Sequence, residues 1–199
     1  MINSLEMIAN KVLQPIIRQT IQKEHRNIEN QRQYQALVET TQFVEQNFPM
    51  LRSFASRFDL LEYAIQQIED HADGLVCELG VWQGKTINFI ARRLPQTVIY
   101  GFDSFQGLPE DWRDVYPKGS FAVKEKPSVR QNITLVEGLF HITLPSFLAQ
   151  HRGQALLLHI VCDLYSSTQT VLKDFYPRIT QNTIIVFDEF FIYPGWQLG

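Results

Sequence analysis

The first part of the chain carries apolar side chains at helical spacing and almost no glycine. In the segment "LVETTQFVEQNF", Leu37, Thr41, Val44 and Phe48 follow one another at steps of three and four, which places them on one face of a helix. The segment "FDLLEYAIQQIEDHADG" continues this pattern, and Gly74 is expected to end its helix as a C-terminal cap. The pattern therefore predicts at least two amphipathic helices before residue 75.

From Leu75 onward, short apolar runs alternate with amphipathic stretches. The apolar runs are "LVCELGV", "VIYGFDSF", "ITLVEG", "ALLLHIVCDL" and "TIIVFDEFF". Strands buried on both faces read as near-continuous apolar runs, and intervening helices join them into a parallel sheet. We predict a doubly wound, Rossmann-like α/β domain over residues 74–199, preceded by a helical extension over residues 1–73. The more polar residues 11–35 are interpreted as a solvated helix or a partly disordered arm.

Composition and charge narrow the classes of partner. The net charge of −3 and the isoelectric point near 5.9 leave no basic excess for a phosphate backbone, so we expect no nucleic-acid partner. No run of about 18 apolar residues is present and the N-terminus lacks the pattern of a secretory signal, which favours a cytoplasmic protein without a membrane partner. Cys77 and Cys162 lie inside apolar runs and are expected to be buried, reduced thiols.

The stretch "GVWQGKT", from Gly80 to Thr86, resembles two phosphate-binding turns without matching either. A P-loop needs four residues between its first glycine and Gly-Lys-Thr, and this chain has three. A dinucleotide-binding turn needs a middle glycine, and this chain has Trp82 there. Both interpretations, and that of a plain turn with incidental acids, remain open beside a fourth, a site for a cationic nucleoside.

Acidic residues around this turn favour the cationic nucleoside. Glu78 stands two residues before Gly80, where its carboxylate would repel a triphosphate but could neutralise an ammonium group. Asp103 ends the next strand, 19 residues after Gly84, where an acid can bond the two hydroxyls of a ribose. We therefore expect the ligand outside the carboxyl ends of the strands.

At this point the chain resembles class I S-adenosylmethionine-dependent methyltransferases and, within them, the macrocin O-methyltransferase (TylF-like) group. The segments that carry the resemblance are "CELGVWQGKT", "YGFDSFQGLPEDW", "LVEGLFHITLP", "HIVCDLYSST" and "IIVFDEF". They cover roughly residues 75–196. Members of the group methylate sugar hydroxyls of antibiotics and related natural products, so the resemblance implies O-methylation of a small-molecule acceptor with S-adenosylmethionine as cofactor.

The resemblance also implies a strand order of 3-2-1-4-5 followed by strands 6 and 7. The ten residues after Glu189 leave no room for those two strands, so we expect a C-terminally incomplete domain. An uncovered apolar strand edge invites pairing with another chain, which predicts a homo-oligomer.

The family pattern assigns roles to individual residues. Glu78, Gly80 and Gly84 match residues that hold the methionine end of the cofactor, and Asp103 matches the acid that holds the ribose. The positions that commonly line the same pocket are matched by Trp82, Thr86, Ser104 and Gly138.

Family members also place three carboxylates around Mg²⁺, and here the chain departs from the pattern. Asp188 and Glu189 match the pair after the fifth strand, but Val161 replaces the usual aspartate of the fourth strand. Asp163 points to the same face of that strand and could substitute as ligand or base, or it could cap the following helix. The candidate metal ligands are thus Asp163, Asp188 and Glu189, and metal dependence is an open question.

Candidate bases are Asp163, Asp188 and His141, which follows the third strand. His159 lies mid-strand and is interpreted as a core histidine. The long segment 106–130 is expected to form either an acceptor-binding lid or a surface helix. The alternative to an enzyme is a catalytically weak, cofactor-binding interaction module.

Overall fold

The computed structural model describes residues 26–68, 74–113, 116–188 and 190–198, and the single positions 14, 16, 17, 19 and 23. The helices are α1 (Ile28–Asn47), α2 (Arg57–Gln66), α3 (Lys85–Arg93), α4 (Phe140–Gln150) and α5 (Tyr165–Phe175). The strands are β1 (Gly74–Leu79), β2 (Ile99–Asp103), β3 (Ile133–Glu137), β4 (Gln154–Ile160) and β5 (Ile184–Phe187). Two short 3₁₀ helices cover Tyr176–Arg178 and Trp196–Leu198.

The strands form one parallel sheet in the order β3-β2-β1-β4-β5, as predicted. The central strand β1 is the most completely buried, because every residue from Leu75 to Leu79 is covered by helices on both faces of the sheet. This burial explains why its sequence lacks the alternation of a half-exposed strand.

Hydrophobic cores lie on both faces of the sheet. On one face, α2 and α3 bury Leu61, Ile65, Ile87 and Ile90 against Val76. On the other face, α4 and α5 contribute the buried residues Leu144, Phe147, Val171 and Phe175. Helices on both faces make the domain doubly wound, which confirms the predicted fold class.

The helix α2 is fixed to α3 by two contacts. The rings of Phe58 and Phe89 lie 5.0 Å apart, and Glu62 forms an ion pair with Arg93. The helix ends at Gln66 with Gln67 as its C-cap, so the prediction that Gly74 caps it was wrong. Gly74 instead begins β1, where a Cβ atom would lie 2.5 Å from Cγ of Leu156. Close strand packing, not helix termination, requires glycine there.

The chain divides into two compact units. One comprises residues 53–189, so it includes α2 with the sheet, and the domain boundary predicted from the sequence, after residue 73, falls inside it. The other comprises the described residues up to Arg52 together with those from Phe190 onward. In this second unit, Phe43 of α1 packs against Phe191 and Trp196 at ring distances of 5.9 and 5.2 Å. Across the described ranges, no helix has the length and apolar character needed to cross a bilayer.

Candidate functional site

A cavity of about 510 Å³ opens at the carboxyl ends of the strands, within the unit formed by residues 53–189. Its volume lies in the usual range for small-molecule sites, and its position is where open α/β sheets bind ligands. The residues predicted from the sequence that line it are Gly80, Trp82, Asp103, Ser104, Gly138, His141, Asp163 and Asp188. The topology therefore brings together residues that are far apart in the sequence.

The turn after β1 passes close to the end of β4. Gly80 has a φ of +103°, and a Cβ atom there would lie 3.1 Å from the carbonyl carbon and oxygen of Val161. Only glycine combines this backbone conformation with this approach. Trp82 also has a positive φ, of 46°, and its side chain is exposed at the cavity wall.

Asp103 holds this turn in place. One carboxylate oxygen, Oδ2, accepts hydrogen bonds from the backbone N–H groups of Val81 and Trp82, both at 2.8 Å. The other, Oδ1, accepts from the N–H of Phe105 at 2.7 Å. The acid at the end of β2 thus fixes the turn after β1, and a ligand meets a preformed wall.

Three of the predicted cofactor-binding residues do not line the cavity. Gly84 is the N-cap of α3, and Thr86 is buried in the first turn of that helix. Glu78 is completely buried in β1, with an exposed fraction of 0%. The structure therefore places Glu78 beneath the turn, where its carboxylate is sealed from the cavity.

Glu78 pairs with the core histidine of the neighbouring strand. Its Oε2 atom and Nδ1 of His159 form a hydrogen bond of 2.7 Å, and the two residues are in register between β1 and β4. Burial raises the pKa of the Glu78 carboxyl, while His159, the Thr86 hydroxyl and the Ile87 N–H act in the opposite direction. Among the described residues, no donor meets hydrogen-bond geometry with the Oε1 atom. The interpretation of His159 as a core histidine is confirmed.

The P-loop interpretation fails on the position of Lys85. This lysine lines a separate surface pocket with Phe58 and Arg92, not the cavity that Gly80 lines. Among the described residues, the ionisable side chains that line the cavity are the acids Asp103, Glu110, Asp163 and Asp188, the arginines Arg57 and Arg113, and His141. An excess of carboxylates suits a ligand with a cationic group better than a triphosphate.

The segment 106–130 forms one wall of the cavity. Where it is described, it consists of turns and irregular backbone, so the predicted surface helix is absent from those residues. Tyr116 stacks on Trp112 and also contacts Phe121, both at 5.2 Å between ring centroids, and Phe121 meets the edge of Trp82 at 6.1 Å. A hydrogen bond from Ser166 to Glu110 joins the segment to the first turn of α5. The wall is therefore a continuous aromatic surface.

At the end of β4, one of the two interpretations of Asp163, that it caps the following helix, is wrong. The helix α5 begins at Tyr165 with Leu164 as its N-cap, so Asp163 does not cap it. Asp163 lines the cavity, as does the neighbouring Cys162. Both cysteines are free thiols, as predicted, but only Cys77 is fully buried. Partial burial raises the pKa of Cys162 to about 11, which keeps this thiol protonated at neutral pH.

Asp188 follows β5 and forms an ion pair that the sequence analysis missed. Its Oδ2 atom lies 2.9 Å from Nη1 of Arg57, the first residue of α2. Glu189 lies outside the described residues, so the predicted set of three carboxylates is incomplete here. In the described part of the chain, no group of three or more His, Cys, Asp or Glu side chains is arranged to hold a metal ion. The signal for Arg57 in the sequence was its place after Ser56, because helices disfavour a cation in their first turn.

The curated proteins to which the chain is similar in sequence include two O-methyltransferases. The chain is 26% identical over 162 residues to 8-demethyl-8-(2,3-dimethoxy-alpha-L-rhamnosyl)-tetracenomycin-C 4'-O-methyltransferase of Streptomyces olivaceus, an alignment that covers 68% of this chain and 60% of the relative. It is 25% identical to demethyldecarbamoylnovobiocin O-methyltransferase of Streptomyces niveus over 67% of this chain and 61% of the relative. The chain thus spans about 60% of the length of these curated relatives.

Solved structures show the same fold. The calicheamicin methyltransferase CalS11 superposes with a TM-score of 0.62 at 26% identity, covering 84% of this chain and 78% of that one. Its apo form, described as a TDP-rhamnose 3'-O-methyltransferase, has a TM-score of 0.54 at 25% identity with the same coverage. The family model for macrocin-O-methyltransferase (TylF) matches residues 3–198. The chain therefore belongs to the macrocin O-methyltransferase (TylF) family.

Proposed function

We propose that the chain transfers a methyl group from S-adenosylmethionine to a hydroxyl group of a small acceptor, a sugar or another natural product. The observation that carries this proposal is the cavity in which Asp103 and the turn from Gly80 to Trp82 meet at the carboxyl ends of β1 and β2. Family membership supports the same activity, and the relatives named above act on rhamnosyl and related antibiotic acceptors.

The residues of the cavity fit the cofactor. Asp103 would hold the ribose, because its Oδ1 atom accepts one backbone N–H and retains a lone pair for a hydroxyl group. Gly80 and Gly138 would let the backbone approach the ligand, and Trp82 and Ser104 would line it. Glu78, Gly84 and Thr86 would act indirectly by supporting the turn. When bound, S-adenosylmethionine supplies an electrophilic methyl group on a positively charged sulfur, which the carboxylates of the cavity favour.

The acceptor hydroxyl needs a group that takes its proton as the new oxygen–carbon bond forms. His141 lies at the start of α4 with its side chain exposed and lining the cavity, and imidazole accepts a proton at neutral pH. Asp163 is the second candidate for this role. The aromatic wall of Trp82, Trp112 and Phe121 would orient the acceptor against the methyl group and exclude water.

The described residues do not fit Mg²⁺. Val161 offers no ligand atom, and the Asp188 carboxylate already pairs with Arg57.

Methyl transfer from isotopically labelled S-adenosylmethionine tests the proposal. The acceptor panel consists of nucleoside diphosphate sugars, antibiotic glycosides and phenols. We expect a methyl ether on at least one hydroxylated acceptor, with turnover lost in His141→Ala or Asp163→Ala while S-adenosylhomocysteine still binds. Binding of the cofactor product without any transfer would instead support the interaction module.

We also propose that the chain self-associates. β5 is an edge strand of the described sheet, with four residues that pair on one side with β4. Exposed strand edges can pair with another chain. Light scattering after size-exclusion chromatography is expected to give twice the monomer mass, and a stable monomer would contradict the proposal.

A further inference from the structure

We propose that the guanidinium of Arg57, rather than a divalent metal ion, neutralises Asp188 in the cavity, so that methyl transfer by this chain needs no metal. The inference rests on the function proposed above. It follows from the charges that meet at the ends of β4 and β5.

Asp188 lies next to the end of β4. The register pairs Ile160 with Phe187, and the N–H of Asp188 donates to the carbonyl of Ile160 at 3.0 Å. Continued by one residue, this register would set Val161 beside Asp188. Neighbouring parallel strands lie about 4.8 Å apart, so an acid at position 161 would place two carboxylates next to each other. With valine there, position 161 places no carboxylate beside Asp188, and the Asp188 carboxylate pairs with Arg57.

Arg57 occupies an unusual position for a cation, the first turn of α2. Ser56 caps α2, with its hydroxyl accepting from the N–H of Asp59 at 3.2 Å, and Asp59 is an acid in the first turn, as helices prefer. Arg57 breaks that preference, since the N-terminal end of a helix repels a cation. The ion pair with Asp188, whose side chain is only 11% exposed, compensates for this repulsion. Local rules are commonly broken at functional sites.

Arg57 is held firmly and remains accessible. The contacts of Phe58 with Phe89 and of Glu62 with Arg93 anchor α2 within about one and a half turns of Arg57. The Arg57 side chain is 53% exposed and lines the cavity, and its Nη1 atom contacts Asp188. A guanidinium has five N–H donors, so one carboxylate leaves donors for an acceptor oxygen. Arg57 can therefore hold Asp188 and orient the acceptor at once.

Binding of Mn²⁺, followed by electron paramagnetic resonance, tests the inference without relying on activity. The chain is compared with Val161→Asp, with Arg57→Gln and with the double variant. We expect no binding by the unmodified chain below millimolar Mn²⁺ and at least about tenfold tighter binding by the double variant, because two carboxylates without the arginine suit a hard cation. Val161→Asn, which adds the shape but not the charge, is the matched control and gains much less.

Activity supplies the second measurement. We expect a chelator to leave turnover within about twofold, Arg57→Gln to lower kcat/KM at least about tenfold, and Arg57→Lys to recover part of it, because lysine restores the charge but not the planar fork. The inference would be overturned if the unmodified chain bound Mn²⁺ tightly and the substitution Asp188→Asn abolished that binding. Unchanged kcat/KM in Arg57→Gln would also overturn it. Binding of S-adenosylhomocysteine to every variant, by calorimetry, tests the proposed function separately.

Discussion

Glu78 and His159 form a buried pair across β1 and β4, with 2.7 Å between Oε2 and Nδ1. The two residues are 81 positions apart in the sequence and are both almost completely shielded from solvent. They lie directly below the turn that contains Gly80. The pair therefore belongs to the support of the cavity, and it makes the folded chain sensitive to pH.

The substitution Glu78→Gln should flatten the pH dependence of the free energy of unfolding. Burial raises the pKa of Glu78 above its usual 4.5, so the folded chain holds this proton more tightly than the unfolded chain. The stability from this group is fully present below pH 4.5 and is lost as the pH rises through the raised pKa, with a slope of at most about 1.4 kcal/mol per pH unit. Urea unfolding of both proteins from about pH 4 to pH 8 measures the difference. Parallel curves would contradict this account.

The substitution Gly80→Ala should destabilise the chain more than Gly119→Ala. Both glycines have a positive φ, of +103° and +85°. A Cβ atom at Gly80 would contact the backbone of Val161, whereas a Cβ atom at Gly119 would have no described atom within 4 Å. Backbone strain alone costs about 1–3 kcal/mol, and the contact adds to it only at Gly80. Urea unfolding compares the two, and affinity for S-adenosylhomocysteine should fall only in Gly80→Ala. Equal losses of stability would show that the approach to β4 is unimportant.

The side chain of Asn132 should be essential for the end of α3. Its Nδ2 atom lies 3.0–3.1 Å from the carbonyl oxygens of Ala91, Leu94 and Thr97, which share its two N–H donors. Asn132→Ala should lower the free energy of unfolding by about 1–3 kcal/mol, because it removes the side-chain donor from these three carbonyl oxygens, of which only that of Leu94 keeps the N–H of Thr97. Asn132→Asp should cost more above pH 5, since a carboxylate would face three carbonyl oxygens. Thermal and urea unfolding measure both variants, and wild-type stability of Asn132→Asp would refute the assignment.

The fold was predictable because five apolar runs with intervening helices permit few arrangements. Gly80 and Asp103 were predictable for a related reason, as both stand where a parallel sheet binds its ligand. The pairing of Glu78 with His159 was not predictable, because a sequence does not state which strands are neighbours. The ion pair of Arg57 depends on the packing of α2 against the sheet, which helical periodicity does not specify. The helical pattern predicts Gly74 as a local cap, but glycine is needed there because Leu156 lies too close for a Cβ atom.

We propose that the cavity at the ends of β1 and β2 binds S-adenosylmethionine through Asp103. Titration calorimetry with S-adenosylhomocysteine tests it most directly, on the unmodified chain, Asp103→Ala and Glu137→Ala. Glu137 is the matched control, because it pairs in register with Asp103 but does not line the cavity. We predict saturable one-to-one binding that Glu137→Ala retains and Asp103→Ala weakens at least about tenfold, as expected for a lost charge-assisted hydrogen bond and a loosened turn. Absence of binding to the unmodified chain, or equal affinity in Asp103→Ala, would contradict the account.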